Sequence, residues 1–148
     1  MTVVQLTVAH PWFSDGAALF DEYRQHYGAN PAPEAVESWM RDQILTDRMR
    51  LFAAVPDGRA RGICAVSVVP ASLTLRTVWL VRDLYVEPGA RRAGLGRALL
   101  AHVAEEARAE GAHRLSLQTE PTNARALDLY AGAGFEPVTE VALLDRVL

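Results

Sequence analysis

The sequence predicts a single α/β domain over residues 1–148, in which a mixed β-sheet is covered by helices. The chain has 148 residues and half of them are hydrophobic, which is enough for one buried core. In the middle of the chain, strand-like runs follow one another across short turns, which favours antiparallel pairing. Later strand-like runs are separated by amphipathic helices, which favours parallel pairing. The predicted order is β-αα-βββ-α-β-α-ββ.

Residue spacing predicts each element of the first half. Alternation of apolar and polar residues predicts a strand at Thr2–Ala9, which His-Pro then interrupts. Apolar residues at helical spacing predict helices at Asp15–Tyr27 and Ala35–Leu45. A Pro-Asp-Gly turn joins two further strands at Met49–Val55 and Ala60–Val69.

The second half begins with a long strand at Leu73–Val86, which Pro-Gly terminates. The clearest helix follows at Leu95–Glu110, because leucine, valine and alanine recur on one stripe of it. A strand at His113–Thr119 precedes a helix from Thr122-Asn123 to Ala131, and a closing strand pair is predicted to end at Leu148.

Composition excludes several classes of function. The net charge is -3, the fifteen basic residues are interspersed arginines, and there is no lysine, so a nucleic-acid surface is not indicated. The single cysteine, Cys64, cannot form a disulfide within the chain and fits a core position. No metal site, leader or membrane span is indicated, and we expect a soluble cytoplasmic protein.

The most informative segment follows the long strand and opens the clearest helix. It consists of Arg91, Arg92, Ala93, Gly94, Leu95, Gly96 and Arg97. Backbone N–H groups at a helix N-terminus lack intrahelical partners and favour anions, and glycines let a phosphate approach the main chain. A dinucleotide-binding motif would need glycine at Leu99, and no P-loop is present. The segment therefore predicts a cradle for another diphosphate, although glycines at such a turn can serve the turn alone.

This segment satisfies the pyrophosphate signature [QR]-x-x-G-x-[GA] of the GNAT superfamily of N-acetyltransferases, which the chain resembles. Residues 83–88 are similar to the end of the family's fourth strand, and residues 123–130 to its asparagine-to-tyrosine helix. The resemblance is strong over residues 79–137. It implies the acyl-CoA N-acyltransferase fold with splayed central strands, and acetyl-CoA (coenzyme A) as co-substrate.

The resemblance also assigns roles to residues. Backbone groups of Leu84, Tyr85 and Val86 would meet the acetyl and pantetheine portions of the cofactor, and the segment from Arg91 to Arg97 would bind its pyrophosphate. Asn123 matches a cofactor-contacting asparagine, and its alternative role is a helix cap. Tyr130 matches the tyrosine that protonates the departing thiolate, and its alternative is burial at the edge of the core.

No residue matches the general base of the relatives. Some relatives carry glutamate where this chain has Gln118, and others carry an acid where it has Leu80 or Arg82. The nearby carboxylates are Asp83 and Glu120, so we expect a water relay that touches one of them to deprotonate the amine.

The acceptor is expected to be a primary amine of a small molecule or peptide, which attacks acetyl-CoA directly in a ternary complex. Asp21 or Glu22 would meet a cationic acceptor, or both are simply solvated helix charges. The aromatic residues Phe20, Tyr23 and Trp39 are expected mainly in the core, as is Tyr27. A non-catalytic acyl-CoA-binding module is the alternative function; neither nucleic acid nor membrane is an expected partner, and a homodimer is left open.

Overall fold

The computed structural model describes all 148 residues. The chain divides into two compact units, residues 1–118 and residues 119–148. In chain order the first unit contains β1 (Thr2–Leu6), α1 (Phe13–His26), α2 (Pro33–Leu45), β2 (Arg50–Val55), β3 (Gly62–Ala71), β4 (Arg76–Val86), α3 (Leu95–Ala109) and β5 (Arg114–Leu117). The second unit contains α4 (Ala124–Gly132).

The five strands form one sheet in the order β1-β2-β3-β4-β5. The first four strands pair antiparallel with their neighbours, and β5 pairs parallel to β4. The parallel pair is the one joined through a helix, α3, as the sequence predicts. The predicted mixed sheet is therefore confirmed. No helix is long and apolar enough to cross a membrane.

Alternate residues of the sheet face different helices. Leu51 and Ala53 of β2 belong to the core that α1 and α2 form with the sheet. Phe52, between them, has its ring 5.7 Å from the ring of His102 on α3. The predicted stripe of α3 is buried, with Leu99 and Val103 fully inaccessible to solvent. Helices therefore cover both faces of the sheet.

A β-bulge interrupts β4 near its middle. The register of β4 against β3 shifts between Ala65 and Val66, which leaves Arg82 as an extra residue in β4. An extra residue exchanges the faces of the side chains that follow it. Tyr85 consequently packs into the core with α1 and α2, and Asp83 lies opposite Ala65 of that same core.

The predicted strands at Thr2–Ala9, Leu73–Val86 and His113–Thr119 all extend past the observed ones. β5 spans only Arg114–Leu117. β1 ends at Leu6 because the N–H of His10 bonds the carbonyl of Thr7 in a turn. β4 begins at Arg76 rather than Leu73 because residues 72–74 form a 3₁₀ turn, after which Leu75 has φ +56°. Local turn hydrogen bonds replace ladder bonds at these ends of β1 and β4.

The closing strand pair predicted to end at Leu148 is wrong. No strand follows α4, and the last backbone hydrogen bond of a turn joins the N–H of Phe135 to the carbonyl of Tyr130. Val138, Val141 and Leu144 are exposed. Their apolar character is typical of strands, but a strand also requires a hydrogen-bonding partner, and sequence composition does not supply one.

Candidate functional site

The segment predicted to form the cradle, residues 91–97, comprises the loop between β4 and α3 and the first residues of α3. Gly94 is the N-cap of α3 and has φ +81°, a conformation that glycine adopts without steric cost. Arg92 has φ +65°, which is uncommon for a residue with a long side chain. Strained backbone of this kind concentrates at ligand-binding loops. Two left-handed residues within three positions turn the loop sharply into the helix.

The backbone N–H groups of residues 92–97 make no hydrogen bond to the rest of the protein. The first intrahelical donor is the N–H of Ala98, which bonds the carbonyl of Gly94 at 2.9 Å. The helix dipole adds partial positive charge at this end of α3. Six consecutive donors at a helix N-terminus form an arrangement that suits a phosphate or pyrophosphate group.

Arg91 has a different role from its neighbours. Its Nε donates to the carbonyl of Val86 at 2.9 Å, and its guanidinium carbon lies 5.7 Å from the centre of the Tyr85 ring. The Tyr85 hydroxyl donates to Glu22 at 3.0 Å, and burial is the main reason that the pKa of Tyr85 is raised. The Arg91 side chain therefore ties the cradle to the end of β4.

A second group of charged residues fixes the start of this loop, at the end of β4. Glu87, which follows β4, forms ion pairs with Arg59 and Arg61 from the β2–β3 connection. Arg61 also bonds Asp57 at 2.7 Å, and that hydrogen bond is the main reason that the pKa of Asp57 is lowered. These ion pairs hold the residue that follows β4 against the connection between β2 and β3. The loop that contains the cradle therefore begins at a fixed position.

The edge of β4 that faces β5 is open beyond the bulge. β5 pairs with β4 only from Val78 to Val81, so Arg82 to Val86 have no partner on that side. The resemblance implies splayed central strands at this place, and the end of β5 at Leu117 leaves this part of β4 unpaired. Leu84 and Val86 are partly buried there, and the Val86 carbonyl accepts the Arg91 hydrogen bond. The open edge leads directly into the cradle.

A cavity of about 420 Å³ lies against the bulge, within the first unit. Its lining residues come from α1, α2, the segment before β2, β3 and β4: Phe20, Trp39, Gln43, Arg48, Met49, Ser67, Arg82 and Asp83. The Phe20 and Trp39 rings stack with centroids 6.1 Å apart. The cavity thus combines aromatic surface with charged groups of both signs.

Asp83 is the only carboxylate of this cavity. Burial raises its pKa, while a hydrogen bond from Tyr23 and the charge of Arg82 act in the opposite direction. A half-buried carboxylate with a raised pKa is a stronger proton acceptor than an exposed one.

The acidic residues of α1 do not form one substrate site. The Asp21 carboxylate is buried, pairs with Arg24 at 3.0 Å and accepts the Ala32 N–H at 3.2 Å, so it joins α1 to α2. Glu22 accepts a hydrogen bond from Tyr85 and lines a separate cavity of about 140 Å³ with Asp15, Arg59 and Glu87.

The core position expected for Tyr27 and Trp39 is wrong, because these residues are 72% and 47% exposed.

Three sequence-predicted residues belong to the second unit. Asn123 caps α4, because its side-chain oxygen accepts the Ala126 N–H at 3.2 Å. The Tyr130 ring lies 6.0 Å from that of Phe135 in an edge-on arrangement. Glu120 is exposed.

Sequence reasoning missed the cavity residues Arg48, Ser67 and Gln43, and it considered Arg82 only as a position that lacks a base. Each lies on a different segment and matches no motif, so only the folded arrangement brings them together. The one available signal was the adjacent pair Arg82-Asp83, which interrupts an otherwise continuous apolar run in the strand.

The chain is similar to known proteins in both sequence and fold. The model of the acetyltransferase (GNAT) family matches residues 16–135. The uncharacterized N-acetyltransferase YhfO of Bacillus subtilis is 30% identical over 129 residues, which cover 85% of this chain and 87% of that protein. Aminoglycoside N(6')-acetyltransferase type 1 of Klebsiella aerogenes is 33% identical over 115 residues, 76% of each chain. The crystal structure of a probable acetyltransferase has a TM-score of 0.92 and 29% identity, and the match covers 100% of this chain and 98% of that one.

The sheet, the open strand edge and the glycine-containing helix start define an acyltransferase class of fold, and the matches extend over most of the chain. The chain belongs to the GNAT family of acetyltransferases. Its function is therefore N-acetyl transfer, the reaction of this family. Members of the family generally use acetyl-CoA, and no finding favours the non-catalytic alternative.

Proposed function

We propose that this chain transfers the acetyl group of acetyl-CoA to a primary amine, with the pyrophosphate of the cofactor bound by residues 91–97. The observation that carries the proposal is the set of N–H groups of residues 92–97, which have no partner in the protein and lie at the N-terminus of α3. Arg92 and Arg97 are exposed beside these donors and add positive charge.

Acetyl-CoA supplies an acetyl group that its thioester activates toward nucleophiles. The open edge of β4 at Leu84, Tyr85 and Val86 would hold the chain between pyrophosphate and acetyl group through backbone hydrogen bonds. Backbone N–H groups near Val86 would stabilise negative charge that develops on the carbonyl oxygen. The Tyr85 side chain is in the core, so its contribution is through the main chain.

In the transfer, the amine nitrogen forms a bond to the acetyl carbon and the bond from that carbon to sulfur breaks. Asp83, directly or through a water molecule, would take the proton that the amine must lose, since it is the carboxylate of the larger cavity. Glu120 remains the alternative residue to accept this proton, as the sequence predicts. Positioning of the amine supplies much of the remaining acceleration.

The roles of Tyr130 and Asn123 rest on their match to the family pattern. Tyr130 would donate its phenolic proton to the departing thiolate, which leaves neutral coenzyme A. Asn123 uses its side-chain oxygen as a helix cap, and its amide nitrogen makes no hydrogen bond in the protein, so capping and cofactor binding are compatible.

The acceptor would be a small molecule, as the name of the aminoglycoside-acetylating relative suggests, or a peptide. The test is release of coenzyme A thiol from acetyl-CoA across polyamines, aminoglycosides, amino acids and peptide amines. We expect release that depends on one of these classes and an acetylated amine by mass spectrometry. Tight coenzyme A binding without amine-dependent release from any class would instead indicate the binding module. A cytoplasmic location and a homodimer stay predictions.

A further inference from the structure

The arginines of the first unit whose side chains make no hydrogen bond or ion pair lie at two places only. Arg48, Arg82, Arg92 and Arg97 make neither a hydrogen bond through their side chains nor an ion pair, whereas every other arginine of residues 1–118 makes at least one. Arg92 and Arg97 lie in the cradle. Arg48 and Arg82 line the cavity that contains Asp83. Positive charge is therefore available to a ligand at both places.

The bulge explains why opposite charges share one wall of this cavity. Consecutive residues of a regular strand point to opposite faces, but Arg82 is the extra residue of the bulge, and both Arg82 and Asp83 line the cavity. Their Cα atoms are about 3.8 Å apart, as for any trans peptide. A cationic and an anionic group of one small molecule can therefore be bound side by side.

The remaining lining favours a compact ligand with an apolar part. The cavity volume of about 420 Å³ falls within the range of roughly 300–1,000 Å³ typical of small-molecule sites. Phe20 and Trp39 offer a stacked aromatic surface. Two guanidinium groups against one carboxylate give the cavity a formal excess of positive charge, which repels a polycation.

We infer that the acceptor is an amine that also carries a carboxylate, the chemical class of free amino acids, with its amino group at Asp83 and its carboxylate at Arg48 and Arg82. This inference rests on the proposed acetyl transfer and specifies its acceptor. An apolar or aromatic side chain of the amino acid would contact Phe20 and Trp39. The smaller cavity with Asp15, Glu22 and Glu87 is the competing site, and it would favour a polycation instead.

Matched amines test this inference. Phenylalanine and 2-phenylethylamine differ only in the carboxylate, as do leucine and 3-methylbutylamine; spermidine and an aminoglycoside serve as polycations. With saturating acetyl-CoA, we expect kcat/KM to be at least about tenfold higher for each carboxylated member, the equivalent of one charge-assisted hydrogen bond. Arg48→Gln and Arg82→Gln should each lower that preference about tenfold, mainly through KM. The exposed Arg108→Gln removes the same charge from α3 and should keep the preference.

Equal or reversed preference within the pairs, preference for a polycation, or an unchanged ratio in both arginine variants would overturn the inference. A second measurement does not depend on turnover: NMR titration of phenylalanine and 2-phenylethylamine into the protein without acetyl-CoA. Binding of phenylalanine alone, weakened in both arginine variants, supports the site, and absence of phenylalanine binding contradicts it. Thiol release with the other amine classes reports separately on the proposed acetyl transfer: release with a polyamine or aminoglycoside but with neither amino acid would contradict this inference alone, and release with no amine would contradict the proposed transfer.

Discussion

Replacement of Gly94 by alanine separates backbone strain from cofactor binding. Gly94 has φ +81°, and an added Cβ would meet no protein atom within 4 Å, so the stability cost comes from the backbone conformation alone. That conformation costs a non-glycine residue about 1–2 kcal/mol, and we expect the free energy of unfolding to fall by this amount. We expect the strained loop to shift and to lose one N–H to phosphate bond, worth about 1.5 kcal/mol, so that the Kd for coenzyme A rises about tenfold or more.

Two other glycines provide matched controls. Gly58, in the turn between β2 and β3, has φ +86° and equally open surroundings, so Gly58→Ala should lose the same stability and keep its affinity for coenzyme A. Gly89 is also open but lacks a positive φ, so Gly89→Ala should be neutral or stabilising by roughly 0.4–1 kcal/mol. Urea unfolding and isothermal titration calorimetry measure both quantities. Wild-type affinity in Gly94→Ala together with a stability loss equal to that of Gly58→Ala would refute the cradle.

The remaining predictions concern single side chains. Asp83→Asn should lower kcat by about tenfold, worth about 1.4 kcal/mol, and Glu120→Gln by no more than that; a loss near a thousandfold with coenzyme A binding retained would make the residue a direct base. The pKa of Asp83 is raised in the folded protein. Its carboxyl group therefore stabilises the fold below the unfolded-state pKa, and this stabilisation is lost as the pH rises through the folded-state pKa. Asp83→Asn should consequently not lower the free energy of unfolding at neutral pH, as measured by urea unfolding. Tyr130→Phe should lower kcat roughly a hundredfold with little change in the Kd for coenzyme A, whereas the exposed Tyr27→Phe should change neither; wild-type kcat in Tyr130→Phe would remove its catalytic role. Asp21→Asn should cost about 1–3 kcal/mol of unfolding free energy, because it weakens a buried ion pair and backbone hydrogen bonds, and should leave kcat/KM unchanged; lost activity at wild-type stability would contradict this.

The parts of the site that depend on local sequence could be predicted from it. The cradle is a strand end, a short loop and a helix start that are contiguous in the chain, and its glycine pattern reflects a local conformational requirement at Gly94. The cap formed by Asn123 is equally local, since donor and acceptor are three residues apart. Both were expected from residue types at fixed spacing.

The cavity that contains Asp83 could not be predicted in the same way. Its lining comes from five separate segments, and the pairing of Arg82 with Asp83 depends on a register shift against β3. Exposure of Trp39 likewise depends on how α2 packs, because helical spacing alone places it on a plausible core face. The prediction of two closing strands was wrong because apolar residues indicate only a tendency to form strands, whereas strand pairing depends on tertiary contacts.

Amide NMR of the wild-type protein shows whether the N–H groups of residues 92–97, which have no partner in the protein, bind the pyrophosphate of acetyl-CoA. Titration with coenzyme A should shift the amide signals of residues 92–97 strongly, and titration with pantetheine, which lacks the pyrophosphate, should leave them nearly unchanged. Coenzyme A binding that shifts other amides and leaves residues 92–97 in place would contradict the account.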